Sequence, residues 1–403
     1  VGAAIPRKEL VRAIDRPASV WALLIGTAIT ETILLVLPSF VGALADDLKL
    51  SAQRVGLLGS ADLIGVALST ASGPFWVRRV SWRRAVLAAL LTSLVCNIVC
   101  FGIRGFAPLM GVRIIAGLAA GVGYAVGLAG ITDTIKPAQN AGLLLGVEVV
   151  LSAIGVYVLD AVPQAWRLDA VYAYVLVWLV PYLPVAFYRF PEDPGERNQV
   201  AALDWRRIAL RGSLVMVGAG LYFVMIGGVW GYLEGIAREA GMTLRETGQA
   251  LSVGLVVSLL GALMASVLGL RWGRTVPLLL SGIAQTIALY LLTRLHQFRD
   301  VVLAFYVINA VFQIMWSYIV PYFIVMFAEV EPSGRFVTLF GMAMHLALAI
   351  GPYAGAFFII DGHHNPLLRL GIVLAVLCYA SFLAAVWVGR ATASPVSAVR
   401  ATE

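Results

Sequence analysis

The sequence predicts an all-α integral membrane protein, with twelve transmembrane helices in two pseudo-symmetric bundles of six. Three observations point there. Apolar residues make up 61% of the chain, charged residues only 13%, and mean hydropathy is +0.90, far from the composition of a water-soluble domain. The apolar residues gather into runs of about twenty, the length that crosses ~30 Å of hydrocarbon at ~1.5 Å per residue. These runs fall into two sets of six, separated by one polar stretch that runs from Tyr188 through Pro191, Pro194 and Gly195 to Arg211.

In chain order the spans are expected roughly at 19–43, 52–76, 85–103, 107–131, 140–161 and 170–188, then 212–236, 248–270, 275–294, 301–327, 336–360 and 366–389. The expected domains are therefore an N-terminal bundle over 1–188, a central loop over 189–211, a C-terminal bundle over 212–389 and a disordered tail over 390–403. Of the 29 Lys and Arg residues, nineteen fall in the loops on the side of the N-terminus. The positive-inside rule then puts both termini and the central loop in the cytoplasm, with the protein in the plasma (inner) membrane. The net charge of +7 is accounted for by this topology, and with no continuous basic surface no nucleic-acid partner is expected. The opening residues lack a short apolar core followed by a small-residue cleavage site, so no signal peptide is expected. Cys96, Cys100 and Cys378 all lie inside apolar spans and do not form a disulfide scaffold.

The second half repeats features of the first. Leu50-Ser51-Ala52-Gln53-Arg54-Val55-Gly56, opening the second span, matches Met242-Thr243-Leu244-Arg245-Glu246-Thr247-Gly248, opening the eighth. The same offset sets Arg79-Val80-Ser81 against Arg271-Trp272-Gly273. A duplicated bundle is how many carriers build a site between two moving parts.

The turn after the second span, Gly73-Pro74-Phe75-Trp76-Val77-Arg78-Arg79-Val80-Ser81-Trp82-Arg83-Arg84, is similar to the signature Gly-x-x-x-Asp-Arg-x-Gly-Arg-Arg of the major facilitator superfamily of secondary transporters. It keeps the basic residues and lacks the Asp. In the family that acid resembles a latch between helix ends, so the latch is in doubt here and the Arg cluster also reads as a topogenic signal. The fourth span carries a second resemblance in Arg113-Ile114-Ile115-Ala116-Gly117-Leu118-Ala119-Ala120-Gly121, similar to the family's fourth-helix pattern of Arg-x-x-x-Gly followed by small residues. The fifth span, Gly142 to Gly155, lacks the proline of the pattern that drug antiporters of the family often carry. A Gly351-Pro352-Tyr353-Ala354-Gly355 fragment appears in the eleventh span instead. The resemblance covers essentially the whole chain and implies a secondary transporter whose two bundles rock about a midplane site, with no enzymatic activity.

Ionisable residues inside the apolar runs are the site candidates, because a charge at depth is costly unless it is paired, hydrated or neutralised. Glu31 lies ten residues beyond Trp21, ~15 Å deep and close to the midplane. A carboxyl there is sensitive to which side water reaches it from, which is what proton coupling needs. Glu148, eight residues beyond Asn140 in the fifth span, is a second proton-site candidate. Arg113 shares a helical face with Gly117, Gly121 and Tyr124. By the family resemblance an acid of the first helix works with the fourth-helix arginine, which implies a Glu31–Arg113 partnership. Asp62, at a depth similar to that of Arg113, is the competing partner. His345, in the eleventh span, is a histidine at similar depth whose charge changes near neutral pH, or else a satisfied core residue.

Assigning cavity-facing positions by the same resemblance, the tenth span offers Asn309, Gln313 and Trp316 on one face. With Tyr124 and His345 they are the candidate substrate-binding residues. Amides beside aromatic rings suit a small organic solute with hydroxyl or ring character, and Arg113 would welcome an anionic group. Trp230 and Tyr232, near a span end, read as interfacial anchors. Asp361-Gly362-His363-His364 is a weak metal candidate in an outer loop. The chain has no phosphate-binding loop and no His-Glu-x-x-His pair, so neither cofactor nor metal is expected. The reading is a monomeric, proton-coupled secondary transporter of a small organic solute. Its rival is a non-transporting assembly factor or sensor on the same fold.

Overall fold

A computed structural model describes residues 13–192, 205–330 and 335–391. The expected tail beyond 391 and the middle of the central loop lie outside the described residues. The helices are α1 (Pro17–Thr30), α2 (Thr32–Leu35), α3 (Leu37–Leu48), α4 (Ala52–Trp76), α5 (Trp82–Cys100), α6 (Phe106–Asp133), α7 (Pro137–Leu159), α8 (Arg167–Arg189), α9 (Trp205–Glu239), α10 (Leu244–Leu268), α11 (Thr275–Thr293), α12 (Val301–Val330), α13 (Arg335–Ala356) and α14 (Asn365–Ala391). The three short helices α1–α3 run in series and supply the first span; α4 to α14 supply one span each. All twelve expected segments are therefore helical, and the chain is a multi-pass membrane protein.

The first span is the one that departs from expectation, being broken at Glu31 and again at Val36 instead of running as one helix. Pro38 explains the second break: without an N–H it cannot donate to the carbonyl of Leu34, four residues earlier. In lipid a freed carbonyl needs another donor. Trp230 Nε1 of α9 donates to Leu34 O at 3.2 Å, and Ser152 Oγ of α7 donates to Leu35 O at 2.5 Å. Around the first break, Thr27, Thr30 and Thr32 each donate a hydroxyl back to a carbonyl three or four residues earlier, a pattern that bends helices.

Helices α1–α8 pack mainly on one another, and α9–α14 likewise. Within the first group α4 and α6 touch backbone to backbone, since a Cβ on Gly117 would collide with Asp62 O and one on Gly65 with the α6 backbone. Gly261 plays the same part for α10 against Ile314 O of α12. Small residues are what allow such approach in membranes. Contact between the groups runs chiefly through α3 with α9, α4 with α13 and α7 with α10. Gly56 and Gly248, matched in the sequence repeat, sit at two of these crossings. A Cβ on Gly56 would lie 2.7 Å from Pro352 O of α13, and one on Gly248 would lie 2.8 Å from Val156 O of α7. These contacts lie at the face away from the N-terminus, called here the outer face, and they close it.

The repeat is visible at the inner face as well, in a different register from the sequence match. Arg78 pairs with Asp133 at the end of α6, and Arg274 pairs with Glu329 near the end of α12. The two pairs span the same sequence separation, 55 residues. In this pairing the counterpart of Arg78 is Arg274, whereas the sequence offset matched Arg79 with Arg271. The Arg-rich turn acts inside its own bundle: Arg83 donates to Phe190 O at 2.9 Å and pairs with Glu192 at 2.8 Å. One helix start differs between the halves. Thr243 and Glu246 form a reciprocal capping box at α10, which Ser51 and Arg54 cannot form at α4 because Arg54 has no acceptor.

Candidate functional site

The break in the first span places Glu31 on non-helical backbone, φ −93° and ψ 6°, between α1 and α2. Its side chain is 4% exposed, and Oε1 has no hydrogen-bond partner among the described residues. Across the gap from the other bundle, His345 Nε2 of α13 stands 3.7 Å from that oxygen. The other ring nitrogen, Nδ1, lies 2.8 Å from Gly341 O. A carbonyl only accepts, so Nδ1 donates, and Nε2 carries a hydrogen only when the ring is an imidazolium. Glu31 and His345 can therefore be linked by a single proton, held as a carboxyl facing a neutral ring or as a carboxylate facing a charged one.

Tyr124 of α6 packs edge-on against the His345 ring with centroids 4.7 Å apart. Glu148 of α7 lies close to both Glu31 and Tyr124. Four residues singled out separately in the sequence, Glu31, Tyr124, Glu148 and His345, thus form one cluster drawn from both bundles.

Arg113 is not part of that cluster, which corrects the expected Glu31–Arg113 partnership. Its Nε donates to Asp62 Oδ2 at 2.8 Å, Nη2 to Asp62 Oδ1 at 2.5 Å and Nη1 to Asn97 Oδ1 at 2.9 Å. The glycine contact between α4 and α6 brings Asp62 beside it in two-pronged geometry, and a satisfied fork has no reason to reach further. The two sites remain neighbours, because a cavity of about 20 Å³, room for a single water, is lined by Glu31, Thr30, Asp62, Asn97 and Arg113 together.

The α12 candidates divide. Asn309 Nδ2 donates to Ala250 O of α10 at 3.0 Å, so its amino end is committed to helix packing. Asn309 Oδ1, Gln313 Nε2, Trp316 Nε1 and Ser317 Oγ are buried with no hydrogen-bond partner among the described residues. They form a run of unsatisfied polar atoms along one helix. Trp230 and Tyr232, expected as interfacial anchors, are buried instead: Trp230 bonds Leu34 O across the bundles, and Tyr232 Oη donates to Pro352 O at 2.9 Å. Their neighbour at depth is protein, not headgroup, because the outer ends of the bundles are closed together.

Two features were not legible in the sequence as sites. Arg167, 1% exposed, pairs with Asp160, Glu234 and Asp46 at the outer seam. These charges stand at span ends, where charges are ordinary. Tyr222, Ser281, Gln285 and Tyr379 form a closed hydrogen-bond network inside the second bundle. The Asp361–His364 loop is tied down differently from a metal site: His363 and His364 each bring Nδ1 to one oxygen of Glu239, at 2.8 and 2.7 Å. Among the described residues no group of three or more His, Cys, Asp or Glu side chains could hold a metal.

The chain is thus two helical bundles that meet around a buried ionisable cluster. The chain has the fold of the major facilitator superfamily transporters: a family model described as Major Facilitator Superfamily matches residues 215–403, and solved transporters of that fold superpose on most of the chain. One is similar at 14% identity and a TM-score of 0.74, a D-xylose-proton symporter, with 91% of this chain and 96% of that one covered. The nucleoside transporter NupG is similar at 12% identity and a TM-score of 0.69, covering 91% and 98%. The human organic anion transporter MFSD10 is similar at 15% identity and a TM-score of 0.64, covering 91% and 100%. No curated protein matches the chain in sequence. The solved structures that share the fold are described as transporters.

Proposed function

We propose that the protein is a proton-coupled secondary transporter of a small, polar organic solute, working by alternating access with its termini in the cytoplasm. The observation that carries this reading is Glu31: a buried carboxyl at a break in the first span, whose Oε1 has no hydrogen-bond partner among the described residues and faces His345 across the gap between the bundles. When the bundles move apart, that pair separates, and the proton between them becomes free to leave towards whichever side has water. Glu148 shares the cluster and acts as a second acceptor. Arg113 holds α4 to α6 through Asp62 and lends its charge to the neighbouring cavity.

The solute would take its hydrogen bonds from Gln313, Trp316 and the free oxygen of Asn309, since buried polar atoms left unpaired are costly and a bound solute with hydroxyl or amide groups would satisfy them. The xylose and nucleoside transporters that share the fold carry solutes of this character by their descriptions. The test is Glu31→Gln in proteoliposomes, with candidate solutes found first by a thermal-shift screen across sugars, nucleosides and organic acids. Uptake driven by a pH gradient should be lost while solute binding or exchange persists; gradient-driven uptake at the unmodified rate would remove Glu31 from the mechanism. Failure of the screen together with absence of any flux would favour the assembly-factor or sensor reading.

A further inference from the structure

At the outer seam, about a helix length from the cluster around Glu31, a second set of buried charges crosses between the bundles. Arg167 of α8 donates through Nη2 to Asp160 Oδ1 at 2.9 Å and to Glu234 Oε2 at 2.6 Å, and through Nη1 to Glu234 Oε1 and Asp46 Oδ2, both at 3.1 Å. Arg238 of α9 donates to both Asp46 oxygens, at 3.0 and 2.8 Å. Asp46, Asp160 and Arg167 belong to the first bundle, Glu234 and Arg238 to the second.

The charges do not balance: three carboxylates meet two guanidinium groups. Asp160 and Glu234 are buried, 2% and 1% exposed, while Asp46 and Arg238 are partly exposed; Asp160 Oδ2 and the nearby Ser39 Oγ both have no hydrogen-bond partner among the described residues. The Asp160 and Glu234 carboxyl groups share one Arg167 nitrogen, at 2.9 and 2.6 Å, which sets them side by side. Two carboxylates repel at that range; a carboxyl and a carboxylate bond.

We propose that Asp160 and Glu234 form a second proton-binding site, occupied when the outer face is closed and emptied when it opens. Opening the seam would return both acids to water and to ordinary acidity. The sign follows: the closed form binds the proton more tightly, so acid outside favours closure, and closure weakens as pH rises through the closed-form value.

Arg245 of α10 lines an outer cavity together with Asp160; the remaining charged groups nearby do not cross the seam. On α10, Arg245 is exposed and Glu246 is engaged in its own helix cap, while Gly248 lies against Asp160. Arg104 pairs with Asp47 and Asp169 within the first bundle, and His363 and His364 with Glu239 within the second. The inference needs the outer face to open, as the transport reading does, but not Glu31 as the proton carrier.

The experiment uses the full chain in lipid nanodiscs, spin-labelled at Gln164→Cys and Gln297→Cys, two exposed outer residues on opposite bundles; the native cysteines are buried. The distance distribution is read between pH 5 and 9, a range of about four units over which one proton changes the closed-to-open ratio by at most about tenfold per unit. The closed fraction should fall as pH rises. Asp160→Asn and, separately, Glu234→Gln should flatten that response and hold the acid-like distribution, because a neutral amide mimics the protonated acid. The His363→Ala, His364→Ala double variant should keep the response. A flat response in the unmodified chain, or an undiminished one in both amide variants, would overturn the inference. A response lost only with Glu31→Gln would assign the proton to the midplane cluster, leaving the transport reading intact and this site refuted.

Discussion

Asp62 gives both carboxylate oxygens to Arg113, and Asn97 occupies one of the remaining N–H groups, so a residue read as a candidate for coupling is committed to holding three helices together. Removing one partner of a buried pair strands the other charge, which costs about 3–5 kcal/mol, whereas replacing both with apolar side chains of similar size is close to neutral. Asp62→Leu should therefore sharply lower the melting temperature of the purified protein, and Asp62→Leu with Arg113→Met should recover most of it. Equal melting of the single and double variants would show that the pair contributes little. The sequence singled out Glu31, Tyr124, Glu148 and His345 individually, because a polar residue inside an apolar run is conspicuous. It did not show that Glu31 meets His345 while Arg113 meets Asp62. Partner choice depends on helix rotation and on where glycines such as Gly117 let backbones touch, and neither is written at the position of the charge itself.

The first span shows the same division at the scale of an element. Its apolar length announced a transmembrane helix, and Pro38 was in plain view, yet the break at Glu31 goes with threonines bonding backwards, and the one at Val36 is completed by donors from other helices. Trp230 is one such donor, and it reaches Leu34 O from the opposite bundle only while the outer face is closed. Trp230→Phe should leave that carbonyl unsatisfied at a cost of about 1–3 kcal/mol, lowering the closed-to-open ratio roughly tenfold. Hydrogen exchange of the α2 and α3 amides should quicken accordingly, and exchange identical to that of the unmodified protein would show the bond to be dispensable. Trp230 and Tyr232 were read as interfacial anchors because aromatics near span ends usually are; their burial is a consequence of closure between bundles, which no single element encodes.

For the molecule as a whole, closure of the outer face rests on matched contacts. Gly56 and Gly248 each admit a carbonyl of the other bundle, Pro352 O and Val156 O, at a distance no side chain allows. Gly56→Val or Gly248→Val should leave each bundle folded but prevent the outer face from closing, so that a label pair across the seam reads only the open distance and net transport ceases. Normal transport by either variant would show that the outer ends need not approach this closely. By itself the sequence determined the membrane setting, the twelve spans, the duplication and the family resemblance, because hydropathy, length and short motifs are local properties that lipid enforces one helix at a time. Only the tertiary structure decided which buried charges pair, where the first span breaks and which face is shut, since in a membrane those outcomes follow from how whole helices are packed against each other.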